Sequence, residues 1–118
     1  MIVAGFGFRR EATVASLRDA LGRTGAKDVT LLATASDKAV APAFVALAQE
    51  LALPVIPLDD LSITTLTNSA ASRAARGTGS VAEAAALVAA GPGASLLGMR
   101  VVSADRMATC ALATRNDP

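Results

Sequence analysis

The chain has 118 residues, 53% of them hydrophobic, with 11 basic against 10 acidic side chains, the size of one compact domain. It contains no His, Trp or Tyr and a single cysteine, Cys110. These zeros exclude Ser-His-Asp and Cys-His catalysis, an internal disulfide and zinc sites of the CxxC type.

A net charge of +1 and 3% aromatic residues argue against nucleic acid, which calls for a basic surface and, for single strands, rings on which bases stack. The 28 alanines bury little area each, so the core must come mainly from Leu, Val, Ile, three Phe and three Met. The N-terminal apolar run is followed, not preceded, by Arg9 and Arg10, the wrong order for a secretory signal. The uncharged stretch at 84–99 contains Glu-free alanine-rich sequence but is interrupted by Gly91-Pro92-Gly93, which leaves it short of the roughly 20 continuous apolar residues of a membrane span. The expectation is a cytoplasmic protein with no membrane partner.

In chain order, Ile2-Val3-Ala4-Gly5-Phe6 predicts a first strand, and Val14, Leu17 and Leu21 fall on one face of a helix closed by Gly22 and Gly25. Residues 29–34 form a nearly continuous apolar strand of the kind buried on both faces. After Ser36-Asp37-Lys38, the spacing of Val40, Phe44, Leu47, Ala48 and Leu51 predicts a second helix, with Pro42 in its first turn. Pro54-Val55-Ile56-Pro57-Leu58 predicts a third strand near a sheet edge. Short helices are expected at 59–66 and 70–76, the latter capped by Thr67-Asn68-Ser69 and stopped by Gly77. Ser80 and Glu83 form a capping-box pattern opening a helix that runs to Gly91. Residues 95–102 and 107–113 predict a terminal hairpin joined by Ser103-Ala104-Asp105-Arg106, and 116–118 should fray.

Alternating elements of this length imply a single three-layer α/β domain over residues 1–115. Its sheet is expected to be mainly parallel and twisted, with helices on both faces and an antiparallel C-terminal hairpin. Ligands of such sheets bind beyond the carboxyl ends of the strands, so 5–10 and 34–38 are the segments of interest.

Gly5-Phe6-Gly7-Phe8-Arg9-Arg10 begins like a dinucleotide fingerprint. Arginine replaces its third glycine, and Thr34 stands where a ribose-binding carboxylate would end the second strand, which argues against NAD. No Walker-type GxxxxGK[ST] occurs. What remains is a glycine turn in which Gly5 and Gly7 let backbone N–H groups approach a ligand and Arg9 offers a planar fork for a carboxylate or phosphate. The same residues also read as a tight strand–helix turn with two solvated arginines. Lys38 lies at a helix start, where the dipole disfavours a cation; an anionic ligand there explains it, as does snorkelling into water at a cost of about 0.3–1 kcal/mol. Thr34, Ser36 and helix N–H groups could complete an anion cradle, and Thr78 offers a hydroxyl before the capped helix. Arg73 and Arg76 read as a solvated face, and Cys110 as a small buried hydrophobe. Asp37, Asp59 and Asp60 are loop carboxylates near strand ends with no spacing that pairs them.

The sequence resembles the small CobE family of cobalamin biosynthesis, which is similar to the C-terminal domain of CbiG. The resemblance spans essentially the whole chain. It rests on the order of Gly5-Phe6-Gly7-Phe8-Arg9, Leu32-Ala33-Thr34 followed by Lys38, Leu53-Pro54-Val55, Gly77-Thr78 with residues 80–87, and Met107-Ala108-Thr109. It implies a cytoplasmic role in building the corrin ring, on intermediates rich in acetate and propionate carboxylates. CbiG is described as opening a cobalt-precorrin lactone with release of acetaldehyde, and it carries an additional N-terminal domain that this chain is expected to lack. The expectation is therefore a carrier or accessory protein that binds a corrin or precorrin intermediate through Gly5, Gly7, Phe8, Arg9, Thr34, Ser36, Lys38 and Thr78, with no cofactor and no metal. Two other readings stay open: a hydrolase or isomerase using Asp37 or Lys38 for proton transfer, and an interaction partner of another pathway enzyme. A homodimer through the Ala-rich faces also stays open.

Overall fold

The computed structural model describes residues 2–59, 81–91, 93–98 and 100–115. The helices expected at 59–66 and 70–76, the cap at Ser80, Thr78 and the tail at 116–118 lie wholly or almost wholly outside them. The first strand, β1 (Ile2–Phe8), is two residues longer than its apolar run because β6 (Ala108–Arg115) pairs with it antiparallel along its whole length, from Ile2 opposite Thr114 to Phe8 opposite Ala108. Gly5 and Gly7 therefore belong to the strand, and the turn begins at Arg9.

The connection leads into α1 (Val14–Arg23), where Thr13 and Ser16 cap each other reciprocally. β2 (Val29–Ala35) then lies parallel to β1. It runs directly into the four-residue α2 (Ser36–Ala39) and, after a break, α3 (Pro42–Leu51). The break is a departure from the expected continuous helix. Proline restricts the residue before it to extended conformations, and Ala41 stands at φ −63, ψ 134, so helix geometry cannot pass through it. Val40 falls in the break and is 76% exposed instead of joining the buried face. β3 (Val55–Leu58) pairs parallel with β2 at the sheet edge, as its flanking prolines predict.

Among the described residues the last helix is α4 (Val81–Ala90). The chain then returns through β4 (Ala94–Leu96) and β5 (Val101–Val102), both antiparallel to β6. The sheet order is β3-β2-β1-β6-β4, with β5 also on β6, so the C-terminal strand occupies the centre of the sheet. The expected α/β architecture is present, and the sheet is mixed: β1, β2 and β3 run parallel, while every pairing of β6 is antiparallel. No helix of the described residues is long and apolar enough to cross a membrane.

Alternation along β1 divides the core. Ala4 and Phe6 face α1 and α3, packing with Leu17, Leu32, Phe44 and Leu47. Val3 faces the other way, with Ala33, Ala113 and the α4 alanines Ala85, Ala86 and Ala90. On that side the helix backbone rests on the strand: a Cβ at Gly5 would stand 2.2 Å from the Ala82 carbonyl oxygen and 2.5 Å from the Ala86 nitrogen. Gly5 and the alanine face of α4 are one packing solution, small against small.

The 103–107 connection between β5 and β6 is fastened to α1. The Asp105 carboxylate accepts from the hydroxyls of Ser103 and Ser16 and from the Met107 N–H, and these hold its pKa below the ordinary value of 3.8. Asp19 accepts from the Ala104 N–H at 2.7 Å and from Arg23, and its pKa is lowered for those reasons in that order. Across the outer surface Arg18 grips Glu50 of α3 through two bonds of 2.8 and 2.6 Å.

Two outcomes follow from this packing. Gly5→Ala should destabilise the fold by about 3 kcal/mol, since the obstructing atoms are backbone and cannot swing aside; an unchanged urea midpoint would contradict the close approach. Because the folded-state values of Asp105 and Asp19 are depressed, their stabilisation is present above the ordinary carboxylate range and lost as pH falls through the folded values. Urea midpoints followed from pH 6 to pH 2 should decline less steeply in Asp105→Asn than in the parent, and parallel curves would remove Asp105 from the acid response.

Candidate functional site

Parallel β1 and β2 end side by side, at Phe8 and Ala35, and the chain leaves them in two directions: into the 9–13 turn, and into α2 followed by α3. Between these exits lies a cleft of about 520 Å³. Phe8, Arg10 and Ala12 line it from the β1 side, Asp37 and Lys38 from α2, and Ala41, Pro42 and Ala43 from the start of α3. This is the position beyond the strand ends that the topology anticipates.

Phe8 is half-buried, and its ring stacks on Phe44 of α3 with centroids 5.7 Å apart and planes 11° from parallel. The Lys38 ammonium lies 5.3 Å from the Phe8 ring centroid, within cation–π range. Lys38 was expected at the start of a longer helix; because the helix breaks at Ala41, it stands instead in the last turn of the four-residue α2, where helix polarity does not oppose a cation. Arg10 brings a second cation from the opposite strand exit. Neither takes part in an ion pair among the described residues. The start of α3 adds polarity of the same sign: Pro42 occupies its first turn, and Ala41 supplies no side-chain oxygen to the N–H groups that follow. Among the described residues Asp37 is the one carboxylate in the lining.

The expected residues are not all gathered here. Phe8 and Lys38 line the cleft, and Ser36, half-buried, opens α2 next to it. Arg9 is exposed and outside the lining; its N–H is bonded to the Met107 carbonyl at 2.9 Å, and the guanidinium in the cleft is that of Arg10. Thr34 is fully buried, and its hydroxyl donates to the Phe6 carbonyl at 2.9 Å, tying β2 to β1. Gly5 lies under α4, and Gly7 stands opposite Thr109 within the sheet. Thr78 lies outside the described residues.

Sequence reasoning missed Arg10 because neighbouring arginines in a turn are equivalent until the strand's length is known. It also missed the α3 start, although a proline following an alanine with no capping side chain is a legible sign of open N–H groups.

The chemistry available is recognition more than bond making. The described lining has no hydroxyl or thiol nucleophile, and Cys110 is buried in the core, where desolvation pushes its thiol far up. No cluster of potential metal ligands occurs among the described residues. Two cations, helix N–H groups and an aromatic floor suit a ligand with carboxylates on a flat body. A second groove of about 210 Å³, between Arg23 and Thr24 at the end of α1 and Leu97, Gly98, Val101 and Leu112, has one cation and none of the expected residues among its described lining.

The family described as Cobalamin synthesis G C-terminus matches residues 2–113. Among solved structures, the chain is 33% identical to cobalamin biosynthesis protein chiG from Agrobacterium tumefaciens, with a TM-score of 0.77 over 99% of this chain and 100% of that one. CobE, a protein from the cobalamin (vitamin B12) biosynthetic pathway, is 32% identical, with a TM-score of 0.71 over 96% of this chain and 89% of that one. A putative cobalamin biosynthesis protein G homolog from Sulfolobus solfataricus shares the fold, at 21% identity and a TM-score of 0.71, over 98% of this chain and 37% of that one. No curated protein sequence matches.

The placement of Thr34 has a direct consequence. Thr34→Val keeps the shape and removes the bond to the Phe6 carbonyl, so it should cost about 1 kcal/mol of stability in urea unfolding; an unaltered midpoint would mean that the hydroxyl is not holding the two strands.

Proposed function

The chain belongs to the family of the cobalamin synthesis G C-terminus, and we propose that it binds an anionic corrin or precorrin intermediate of cobalamin biosynthesis in the cleft between the β1 and β2 exits. Intermediates of this class carry carboxylates around the rim of a flat macrocycle. The observation that carries the reading is the arrangement of Lys38, Arg10 and the Phe8 ring in one cleft. Both cations line the same cleft as Phe8 and Pro42, so rim carboxylates can be held while ring edge lies against these apolar side chains.

The role is that of a carrier or accessory protein in the cytoplasm, passing the intermediate among pathway enzymes. Its support is the chemistry of the described lining, which offers charge and surface, with Asp37 as its carboxylate and Lys38 as its amine. That carboxylate beside Lys38 is also the ground for a second reading, in which the same cleft isomerises or hydrolyses its ligand with Asp37 as proton-transfer group.

Titration against hydrogenobyrinic acid, followed by its visible absorbance, tests both. Saturable binding should weaken about tenfold or more in Lys38→Ala and in Arg10→Ala, as expected for loss of a charge-assisted hydrogen bond, and should weaken with added salt. Equal affinity in the double variant would overturn the clamp. A time-dependent spectral change abolished by Asp37→Asn would replace the carrier with a catalyst.

A further inference from the structure

The turn that carries Arg10 has two anchors, and both lead to one carboxylate outside the cleft. At one end, the Arg9 N–H is bonded to the Met107 carbonyl at 2.9 Å, and the N–H of the same Met107 donates to Asp105 Oδ1 at 3.0 Å. At the other end, the Thr13 N–H donates to Ser16 Oγ at 3.2 Å, and Ser16 Oγ donates to Asp105 Oδ2 at 2.6 Å. Proton counting fixes the sense of the second path. Ser16 has one hydroxyl hydrogen, and it goes to the carboxylate, which has none to give; the 3.2 Å contact between the Thr13 and Ser16 hydroxyls is therefore donated by Thr13. Ser16 Oγ is then saturated, with one bond given and two received, and the carboxylate is the terminal acceptor that orients it. Between the anchors, Ala12 N–H closes the turn on the Arg9 carbonyl at 3.0 Å, leaving Arg10 and Glu11 at its tip.

We infer that Asp105 is a positioning residue for the cleft: its two oxygens hold the two ends of the 9–13 turn and so set where the Arg10 guanidinium stands. The functional part of this inference rests on the proposed anion-binding cleft; the structural part does not. An ordinary turn carboxylate would need only Ser103 and the Met107 N–H. The additional bond from Ser16, 89 residues away in sequence, joins the hairpin to the N-terminus of α1 and makes the Arg10 turn dependent on it. Ser16 and Ser103 are each 3% exposed whereas Asp105 is exposed, so the serine hydroxyls are the shielded ends of these bonds and the Met107 bond is open to water.

Amide hydrogen exchange and probe binding together decide the matter. In Asp105→Asn the Arg9 and Thr13 amides should exchange about tenfold faster, while the Leu32 amide, bonded to the Pro54 carbonyl, keeps its protection. Unchanged exchange at both Arg9 and Thr13 would overturn the anchoring. Affinity for hydrogenobyrinic acid should fall about three- to tenfold in Asp105→Asn, with no further fall when the same change is made in an Arg10→Ala background. An equal fall in both backgrounds would mean general damage and would overturn the positioning role. Ser16→Ala cuts only the Oδ2 path; it should free the Thr13 amide selectively and keeps the test open if Asp105→Asn folds poorly. If Arg10→Ala itself binds the probe as the parent does, the cleft reading falls, and with it the functional part of the inference; exchange at Arg9 and Thr13 still decides the anchoring.

Discussion

All three aromatic side chains of this protein meet in one cluster, and the cleft takes its form from that contact. Phe6 and Phe8 are two residues apart on β1 and therefore share a face of the sheet. Phe44 of α3 meets the first edge-on, at 5.6 Å and 72°, and stacks on the second. Each such pair adds roughly 0.5–1.5 kcal/mol beyond the area it buries. Phe6 and Phe44 are wholly buried, so the cluster is rooted in the core, yet its outer ring forms the wall of an open site. The start of α3 is consequently held against the end of β1. Chain exits that topology alone would only bring near each other become the two sides of a cleft.

The opposite face of the sheet solves a different problem. There the alanines of α4 and the bare backbone of Gly5 allow helix and strand to approach until side chains are almost absent between them. A thin layer on that side suits a composition rich in alanine, and it leaves the bulky residues for the face that builds the cleft. The GxG motif, whose spacing suggests a ligand turn, thus has at Gly5 a packing role, while the residues that line the cleft stand further along, at Phe8 and Arg10. The charge of the site comes from short side-chain reach: Lys38 is drawn over a ring, and Arg10 is presented by a turn whose ends are tied to the C-terminal hairpin.

Much of this was legible in the sequence. Period and punctuation marked β1, α1, β2, β3, α4 and the hairpin, and the prolines around Val55 and Ile56 placed that strand at an edge. Lys38 was legible as a cation close to the end of β2, but its place in the last turn of a separate one-turn helix was not. What was not legible depended on partners distant in the chain. The extension of β1 through Phe8 comes from β6, about a hundred residues later, and moving the turn by two residues exchanges Arg9 for Arg10 in the cleft. Thr34 ends an apolar run and offered itself as a donor; only the register of β1 on β2 shows its hydroxyl to be spent on the Phe6 carbonyl. The Thr13–Ser16 cap lacks the Glu or Gln that marks a capping box in sequence, and its tie to Asp105 joins segments nothing local connects. The break at Ala41 was available from Pro42, but the helical spacing of Val40 with Phe44 outweighed it.

The central claim is that the cleft at the ends of β1 and β2 is where this member of the family meets its ligand. The most direct measurement is a residue-resolved amide chemical-shift titration of the labelled protein with hydrogenobyrinic acid. The account predicts saturable shifts concentrated at Phe8, Arg10, Lys38 and Ala43, with Leu97 and Val101 in the second groove unmoved. Shifts centred on Leu97 and Val101, or none at the cleft at saturation, would contradict it.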